Sequence, residues 1–172
     1  AGLEDVYLGE IDGVEHKKAL LEALVERLDK TSDISIVDVI IQMLSSICRN
    51  HGNTWDVFTN LKLIPVLLRW LTNEFEVPLI VIRIFQLLGR ISSYVGGREA
   101  ILSASNIPQL MLYLDHEDDG VSTVCAQLLG KLCRHEEVRL SLKHIFVRAI
   151  EGSSEKDLRH VGQMCDSTDA FY

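Results

Sequence analysis

Apolar residues recur along most of the chain every three to four positions, with breaks at turn residues. Residues 14–30 keep one polar face, whereas residues 35–50 and 78–94 are apolar on nearly all sides. These runs are longer than strands and lack strict alternation, so they predict helices packed on several sides. Further helices are predicted over 54–60, 63–73, 98–105, 107–115, 121–134 and 136–150.

Two sequence patterns repeat at nearly fixed distance. The pattern Ile-Pro-x-Leu-(Leu/Met)-x-x-Leu begins at Ile64 and again at Ile107, 43 residues later. The pattern Gln-Leu-Leu-Gly, followed by a cationic residue, begins at Gln86 and at Gln127, and Gln42 begins a related stretch. Self-similarity at a period of roughly 40–47 residues is typical of stacked helical repeats. The sequence therefore predicts an all-α solenoid of about three repeats, which presents a long surface.

The pattern divides the chain into three parts. Residues 1–13 are polar and contain glycine, and they predict an N-terminal loop or cap. Residues 14–151 hold the helical repeats. Residues 152–172 lose the repeat and predict a C-terminal tail, with one or two turns of helix over 156–164. Because the sequence does not begin with Met, we expect it to be part of a longer protein.

The repeated patterns resemble an armadillo repeat. Residues 97–110 resemble its first and second helices, and residues 126–133 resemble its third helix. HEAT-like and formin-type helical domains share these features. The resemblance covers roughly residues 14–150 and implies a right-handed superhelical solenoid. It also implies a non-catalytic interaction module of a larger scaffold or adaptor protein, which binds a partner segment along the groove of the long helices.

The chain departs from the importin-α type of armadillo protein in a regular way. There the third helix carries Trp and, four residues later, Asn, and these side chains hold an extended peptide. The Trp positions are here occupied by Gln42, Gln86 and Gln127. The Asn positions are occupied by Ser46, Arg90 and Lys131. Two of these three are cationic and would repel a basic peptide, so the resemblance does not imply a receptor for nuclear-localisation signals.

The three glutamines have two interpretations. A side-chain amide both donates and accepts hydrogen bonds, as the backbone of an extended partner requires. Gln42, Gln86 and Gln127 would then form a ladder along the groove. Alternatively, Gln is a good helix former on a face exposed to water.

Cationic residues predict the chemistry of the partner. The stretch from Val77 to Arg98 contains no Asp or Glu, and Arg83 shares a helix face with Gln86 and Arg90. A cationic groove would suit an acidic or phosphorylated protein segment, whereas a solvated polar ridge is the alternative. The complete set of candidate binding residues is Gln42, Ser46, Arg49, Arg83, Gln86, Arg90, Gln127, Lys131 and Arg134.

Composition argues against some classes of partner and favours a reducing location. The net charge of −8 argues against nucleic-acid binding, which needs a basic face. No apolar run reaches the roughly 18–20 residues of a membrane span, and no signal peptide is visible. Four cysteines, three of them within predicted helices, favour a reducing cytoplasmic or nuclear location.

The sequence contains no pattern typical of catalysis. The six histidines are scattered, and structural zinc would need four convergent ligands. No phosphate-binding loop or nucleophile elbow is present. We therefore expect no enzymatic activity, metal or cofactor.

Three further hypotheses remain open. The open ends of a short solenoid favour homodimerisation or stacking with neighbouring repeats. The formin-type resemblance implies a regulatory module that responds to small GTPases. Finally, residues 156–172 are long enough to fold back as a ligand in cis and occlude the groove.

Overall fold

A computed structural model describes most of the chain, namely residues 3–50, 62–72, 77–94, 96–105, 107–151 and 155–169. All regular secondary structure in these ranges is helical. The short helix predicted for 54–60 lies outside the described residues. None of the described helices is long and apolar enough to cross a membrane.

The helices follow the breaks that the apolar pattern predicts. In chain order they are α1 (Leu3–Lys30), α2 (Ile34–Asn50), α3 (Leu63–Leu71), α4 (Pro78–Ile91), α5 (Gly97–Ala104), α6 (Ile107–Met111) with a 3₁₀ turn over Leu112–Asp115, α7 (Asp119–Leu132), α8 (Glu136–Ile150) and α9 (Glu155–Asp169). The three long helices that the repeated Gln pattern predicts are thus present as α2, α4 and α7, and the helices that lie between them in the sequence connect them.

Local sequence sets several helix ends. Pro78 is the first residue of α4, where its missing N–H costs nothing. The Asp118 carboxylate caps α7 by accepting hydrogen bonds from the backbone N–H groups of Gly120 and Val121, at 2.8 and 3.1 Å. After α4 the chain turns so tightly that a Cβ atom at Gly97 would lie 1.9 Å from the Ile91 carbonyl oxygen.

The two ends of the chain correct the sequence prediction. The loop expected over residues 1–13 is wrong for residues 3–13, because α1 begins at Leu3. Apolar residues recur there at helical spacing, and an interior glycine costs a helix only about 1 kcal/mol. The tail expected over 152–172 is instead helical from Glu155 to Asp169, longer than the one or two turns predicted.

Helices α2, α4, α7 and α9 form a row of adjacent helices, which we call the parallel stack. Between α2 and α4, Asp38 pairs with Arg83 early in both helices. The Tyr94 hydroxyl, just beyond α4, donates to the Cys48 carbonyl late in α2. Two contacts in this order require the helices to run in the same direction.

The same direction continues through α7 and α9. Lys131 in α7 donates from Nζ to the Gly89 carbonyl oxygen in α4 at 3.0 Å. Arg159 in α9 approaches Asp119 in α7 at 3.3 Å. The backbone of Met164 then packs against Gly130. The final helix is therefore a fourth layer of the stack.

A contact outside the parallel stack also repeats. The Trp70 Nε1–H group donates to the Leu28 carbonyl oxygen at 3.2 Å. The Tyr113 hydroxyl donates to the Leu71 carbonyl oxygen. Both aromatic residues occupy the same place in the Ile-Pro pattern, and both acceptors lie at the end of the preceding repeat's second helix. The 43-residue period of the sequence is thus the period of the structure.

One continuous apolar core joins the repeats. Its largest fully buried side chains are Leu21, Leu28, Ile41, Leu44, Leu63, Leu67, Ile84, Phe85, Leu87, Leu88 and Ile91. Burying a side chain of this size contributes about 1.5–3 kcal/mol. The apolar faces of the stack helices pack into this core, and their polar residues lie on the faces that the core does not cover.

Candidate protein-interaction surface

Helices α2, α4 and α7 of the parallel stack carry a basic residue in the last turn, and an acidic residue lies at the start of α2 and of α7. Asp33 precedes α2 and accepts from the Ser35 backbone N–H, and Asp118 caps α7, so acids lie at the N-terminal ends. The last turns of α2, α4 and α7 instead carry Arg49, Arg90 and Lys131. We call these three residues the basic edge. Each acid lies near the positive N-terminal end of its helix dipole, and each cation lies near the negative C-terminal end. Both placements stabilise the helices.

Arg90 and Lys131 lie close together at the basic edge. Both are half-buried, and burial, followed by the nearby Arg90 charge, lowers the pKa of Lys131. The Lys131 ammonium donates to the Gly89 carbonyl oxygen between the two helices. An anionic group placed here would offset the repulsion between the two cations.

Arg83 forms an ion pair within the parallel stack. Its Nη1 atom lies 2.6 Å from Asp38 Oδ1, and both side chains are only 25% exposed. The opposite oxygen, Asp38 Oδ2, accepts from Gln42 Nε2 at 2.9 Å. The positive charge of Arg83 is thus matched within the protein, so this residue joins α4 to α2.

The three glutamines reach the surface as both interpretations require. Gln42, Gln86 and Gln127 are all exposed. Gln42 is already engaged by Asp38, whereas the described residues provide no hydrogen bond to the amides of Gln86 and Gln127. These two amides, on adjacent helices, are therefore the better placed for a partner.

The remaining candidates are at the surface. Ser46, Arg49 and Arg134 are exposed. Ser46 and Arg49 belong to α2, and Arg134 follows the end of α7. All nine candidates are thus exposed or half-buried, and one of them, Arg83, is engaged in an ion pair within the stack.

The aromatic residues of the second helices do not form an exposed interface. Tyr113 is only 9% exposed, and its ring meets Phe85 edge to face at 5.2 Å. Trp70 is half-buried against the core. Their polar groups bind backbone carbonyls of the preceding repeat, which explains the aromatic preference at this position of the pattern.

Cys48 and Cys125 are buried, Cys133 is partly buried and Cys165 is exposed. All four are free thiols. Burial raises the pKa of Cys48 and of Cys133 to about 11, so both remain protonated near neutral pH and are poor nucleophiles. Among the described residues, no group of three or more His, Cys, Asp or Glu side chains could hold a metal ion.

Sequence reasoning missed two residues that organise this surface. Asp38 holds both Arg83 and Gln42, and Tyr94 ties the end of α4 to α2. Asp38 is the one acid within α2, and such a residue in an otherwise apolar helix predicts a specific partner. No equivalent signal marked Tyr94, because its partner is a backbone carbonyl.

Comparison with solved structures defines the class of fold. A designed armadillo repeat protein superposes with a TM-score of 0.66 at 13% sequence identity, covering 86% of this chain and 63% of its own. Two engineered proteins from a structural genomics consortium give TM-scores of 0.67 and 0.68 at 15% and 16% identity. These two matches cover 87% and 86% of this chain and 62% of each engineered chain.

The fold is therefore an all-α solenoid of armadillo type, divergent in sequence and without the importin-type Trp and Asn ladder. No protein-family model matches the chain, and no curated protein matches it. The chain spans about three fifths of the length of the solved solenoids to which it is similar, at 62–63% coverage.

Proposed function

We propose that this solenoid is a non-catalytic protein-interaction module of a larger scaffold or adaptor, and that it binds an acidic or phosphorylated partner segment across the parallel stack. The observation that carries the proposal is the half-buried pair of cations at Arg90 and Lys131. A carboxylate or phosphate forms strong, charge-assisted hydrogen bonds with such groups. The designed armadillo protein shares the fold, and armadillo folds typically serve binding.

The spacing of the stack suggests how a segment would lie. Packed helices are about 8–10 Å apart, and an extended chain advances about 3.3 Å per residue. Residues about three positions apart in the partner would therefore meet successive helices. Gln86 and Gln127 would bind its backbone, while the basic edge would bind its acidic side chains.

The test is affinity capture from a cell lysate followed by mass spectrometry. The variant Arg90→Glu/Lys131→Glu reverses two charges of the basic edge. Its control, Arg27→Glu/Lys143→Glu, makes the same change in net charge at two exposed positions of α1 and α8. We expect partners that bind the wild type and the control and are lost only from the basic-edge variant.

Thermal unfolding of each variant separates binding from folding. Lys131 bridges α4 and α7, so its replacement has a structural cost that the control lacks. A milder variant, Lys131→Gln with Arg90→Gln, removes the charges without reversing them. If a folded variant of either type retains all partners, the basic edge is a solvated ridge and the proposal is wrong.

A second candidate function is end-to-end association. Leu140 and Val147 share one face of α8 and are 63% and 40% exposed, and Leu158 of α9 is 53% exposed. In a stack, exposed apolar residues on the last helices are covered by a further repeat or a second copy. Sedimentation equilibrium of wild type and Leu140→Glu distinguishes the two functions. A wild type that remains monomeric at all concentrations would exclude self-association.

A further inference from the structure

Three side-chain donors converge on one backbone oxygen at the basic edge. The Gly89 carbonyl oxygen accepts a hydrogen bond from the Ser92 hydroxyl at 2.8 Å and another from the Ser93 hydroxyl at 3.2 Å. The Lys131 ammonium donates to the same oxygen at 3.0 Å. A carbonyl oxygen has two lone pairs. Two of the donors therefore satisfy it, and the third can turn to another acceptor without leaving this oxygen unbonded.

The three donors differ in their exposure to solvent. Ser92 is only 1% exposed, so its hydroxyl remains on the Gly89 carbonyl oxygen. Ser93 is exposed, and its hydrogen bond is the longest of the three. Lys131 is half-buried, and its ammonium has three N–H groups, of which the Gly89 carbonyl oxygen takes one. Ser93 and Lys131 can thus turn toward an added anion while Ser92 maintains the internal hydrogen bond.

The charges at this point suit an anion with several oxygens. Arg90 directly follows Gly89 and supplies the second cation beside Lys131. The C-terminal ends of α4 and α7 each contribute only about half a negative charge, which leaves positive charge in excess. At pH 7 a phosphorylated serine or threonine carries a charge of about −1.5 to −2 and three strong acceptor oxygens. A phosphoryl group can therefore contact both cations and a hydroxyl at once, whereas a carboxylate has one charge and two oxygens.

We propose that the basic edge prefers a phosphoserine or phosphothreonine of the partner segment over a carboxylate, and that Ser93 determines this preference. The phosphoryl oxygens would accept from Arg90, from Lys131 and from the Ser93 hydroxyl, which turns away from the Gly89 carbonyl oxygen. This inference rests on the proposed function, because it names the group that the basic edge binds. Ser93 is not among the candidate residues that the sequence pattern indicates.

The probes are hexaglutamate and the same peptide with one central glutamate replaced by phosphoserine. Both are titrated against the wild type, against Ser93→Ala and against Ser93→Thr, which retains the hydroxyl. The matched control is Ser103→Ala. Ser103 is also an exposed serine, and its hydroxyl donates to a carbonyl oxygen of its own helix, that of Ala100, at 3.1 Å. Its helix, α5, contributes no residue to the basic edge.

We expect the phosphopeptide to bind the wild type about tenfold more tightly than hexaglutamate does. Ser93→Ala should weaken phosphopeptide binding about tenfold, since a hydrogen bond to a charged group is lost, and should change hexaglutamate binding by less than about twofold. Ser93→Thr and Ser103→Ala should bind as the wild type does. In phosphorus NMR, the second pKa of the bound phosphoserine should fall below its ordinary value of about 6, because the adjacent cations favour the dianion.

Failure of this inference can be distinguished from failure of the proposed function. If the wild type binds both peptides equally, or if Ser93→Ala weakens both by the same factor, the phosphoryl preference is wrong while binding at the basic edge stands. If neither peptide binds, both proposals are wrong. Inorganic phosphate that binds as tightly as the phosphopeptide would show an anion site that does not recognise a protein segment. That result, or an unchanged pKa of the bound phosphoserine, would also overturn the inference.

Discussion

Gly89 and Gly130 occupy the same place in the repeated Gln-Leu-Leu-Gly pattern but have different surroundings. A Cβ atom at Gly89 would lie 3.5 Å from the Lys131 ammonium, which is an ordinary contact. A Cβ atom at Gly130 would lie 2.4 Å from the Met164 carbonyl oxygen and 2.8 Å from its Cα. The α4–α7 junction thus accommodates a side chain, whereas the α7–α9 junction requires direct contact with backbone. The same sequence pattern therefore occurs at a junction packed through a side chain and at one packed through backbone.

The largest predicted effect is at the tighter junction. Gly130→Ala should lower the free energy of unfolding by about 1–3 kcal/mol, because α9 must move away from α7. Urea unfolding measures the loss. Relative to the wild type, amide hydrogen exchange of the variant should increase more in α9 than in α4. An unchanged stability would contradict the close approach of these helices.

The ion pairs of the first and last junctions form the second comparison. Arg83 and Asp38 are each 25% exposed, whereas Arg159 and Asp119 are 52% and 84% exposed. Arg83→Ala should cost about 1–2 kcal/mol after allowance for partial solvent screening. Arg159→Ala should cost less than about 1 kcal/mol, as exposed pairs usually do.

Double-mutant cycles with Asp38→Ala and Asp119→Ala test this difference directly. The coupling energy between Arg83 and Asp38 should exceed that between Arg159 and Asp119. Equal coupling in the two pairs would mean that burial does not distinguish the junctions. The comparison uses the same substitution on each side, so changes in helix propensity largely cancel.

Gly89→Ala completes the comparison of the two glycines. Alanine is favoured over glycine inside a helix by about 0.5–1 kcal/mol, and the nearest atom is the mobile end of Lys131. We therefore expect a small gain in stability or no change in urea unfolding. A loss comparable to that of Gly130→Ala would show that the two junctions are equally tight.

The pH dependence of α9 gives the smallest predicted effect. Burial, followed by Lys156, lowers the pKa of His160 below its ordinary 6.5, while Asp115 and Asp157 act in the opposite direction and Arg159 lowers it further. The folded state therefore binds fewer protons than the unfolded state near this pH. Stability should be highest above about pH 6.5 and should fall as the pH decreases through this region.

The variant His160→Gln provides the control for this effect. It removes the titrating ring from α9, so its stability should depend less on pH between about 5 and 7. Chemical denaturation at several pH values measures both proteins. Parallel curves for wild type and variant would show that another group governs the pH dependence.

The fold was largely predictable because buried isoleucines and exposed glutamines both recur at the period of the repeats. Ile64 and Ile107, and Gln86 and Gln127, mark equivalent positions, and the structure places their helices in equivalent layers. The first and last helices were not predicted in full, because glycines obscured one and few apolar residues marked the other. The α9 layer depends on Gly130, whose role becomes visible only when a backbone packs against it.

The surface was less predictable than the fold. The spacing of Arg83, Gln86 and Arg90 correctly placed them on one helix, but it could not reveal Asp38 opposite Arg83. Asp38 and Arg83 are 45 residues apart because they lie in neighbouring layers of the stack. The sequence indicates the period of the layers, but it does not specify which side chains of two layers meet. Similarly, Asp157 and His160 line one cavity together with residues of α8 only because α9 packs beside α8.

The most direct test of the proposed interaction surface is amide and lysine NMR during titration with hexaglutamate. We predict the largest shifts at Gln86, Arg90, Gln127 and Lys131. We also predict that the pKa of the Lys131 ammonium rises toward its ordinary value of 10.5, because the peptide's negative charge favours the protonated form. Shifts confined to other surfaces, or an unchanged Lys131 pKa at saturation, would contradict binding at the basic edge.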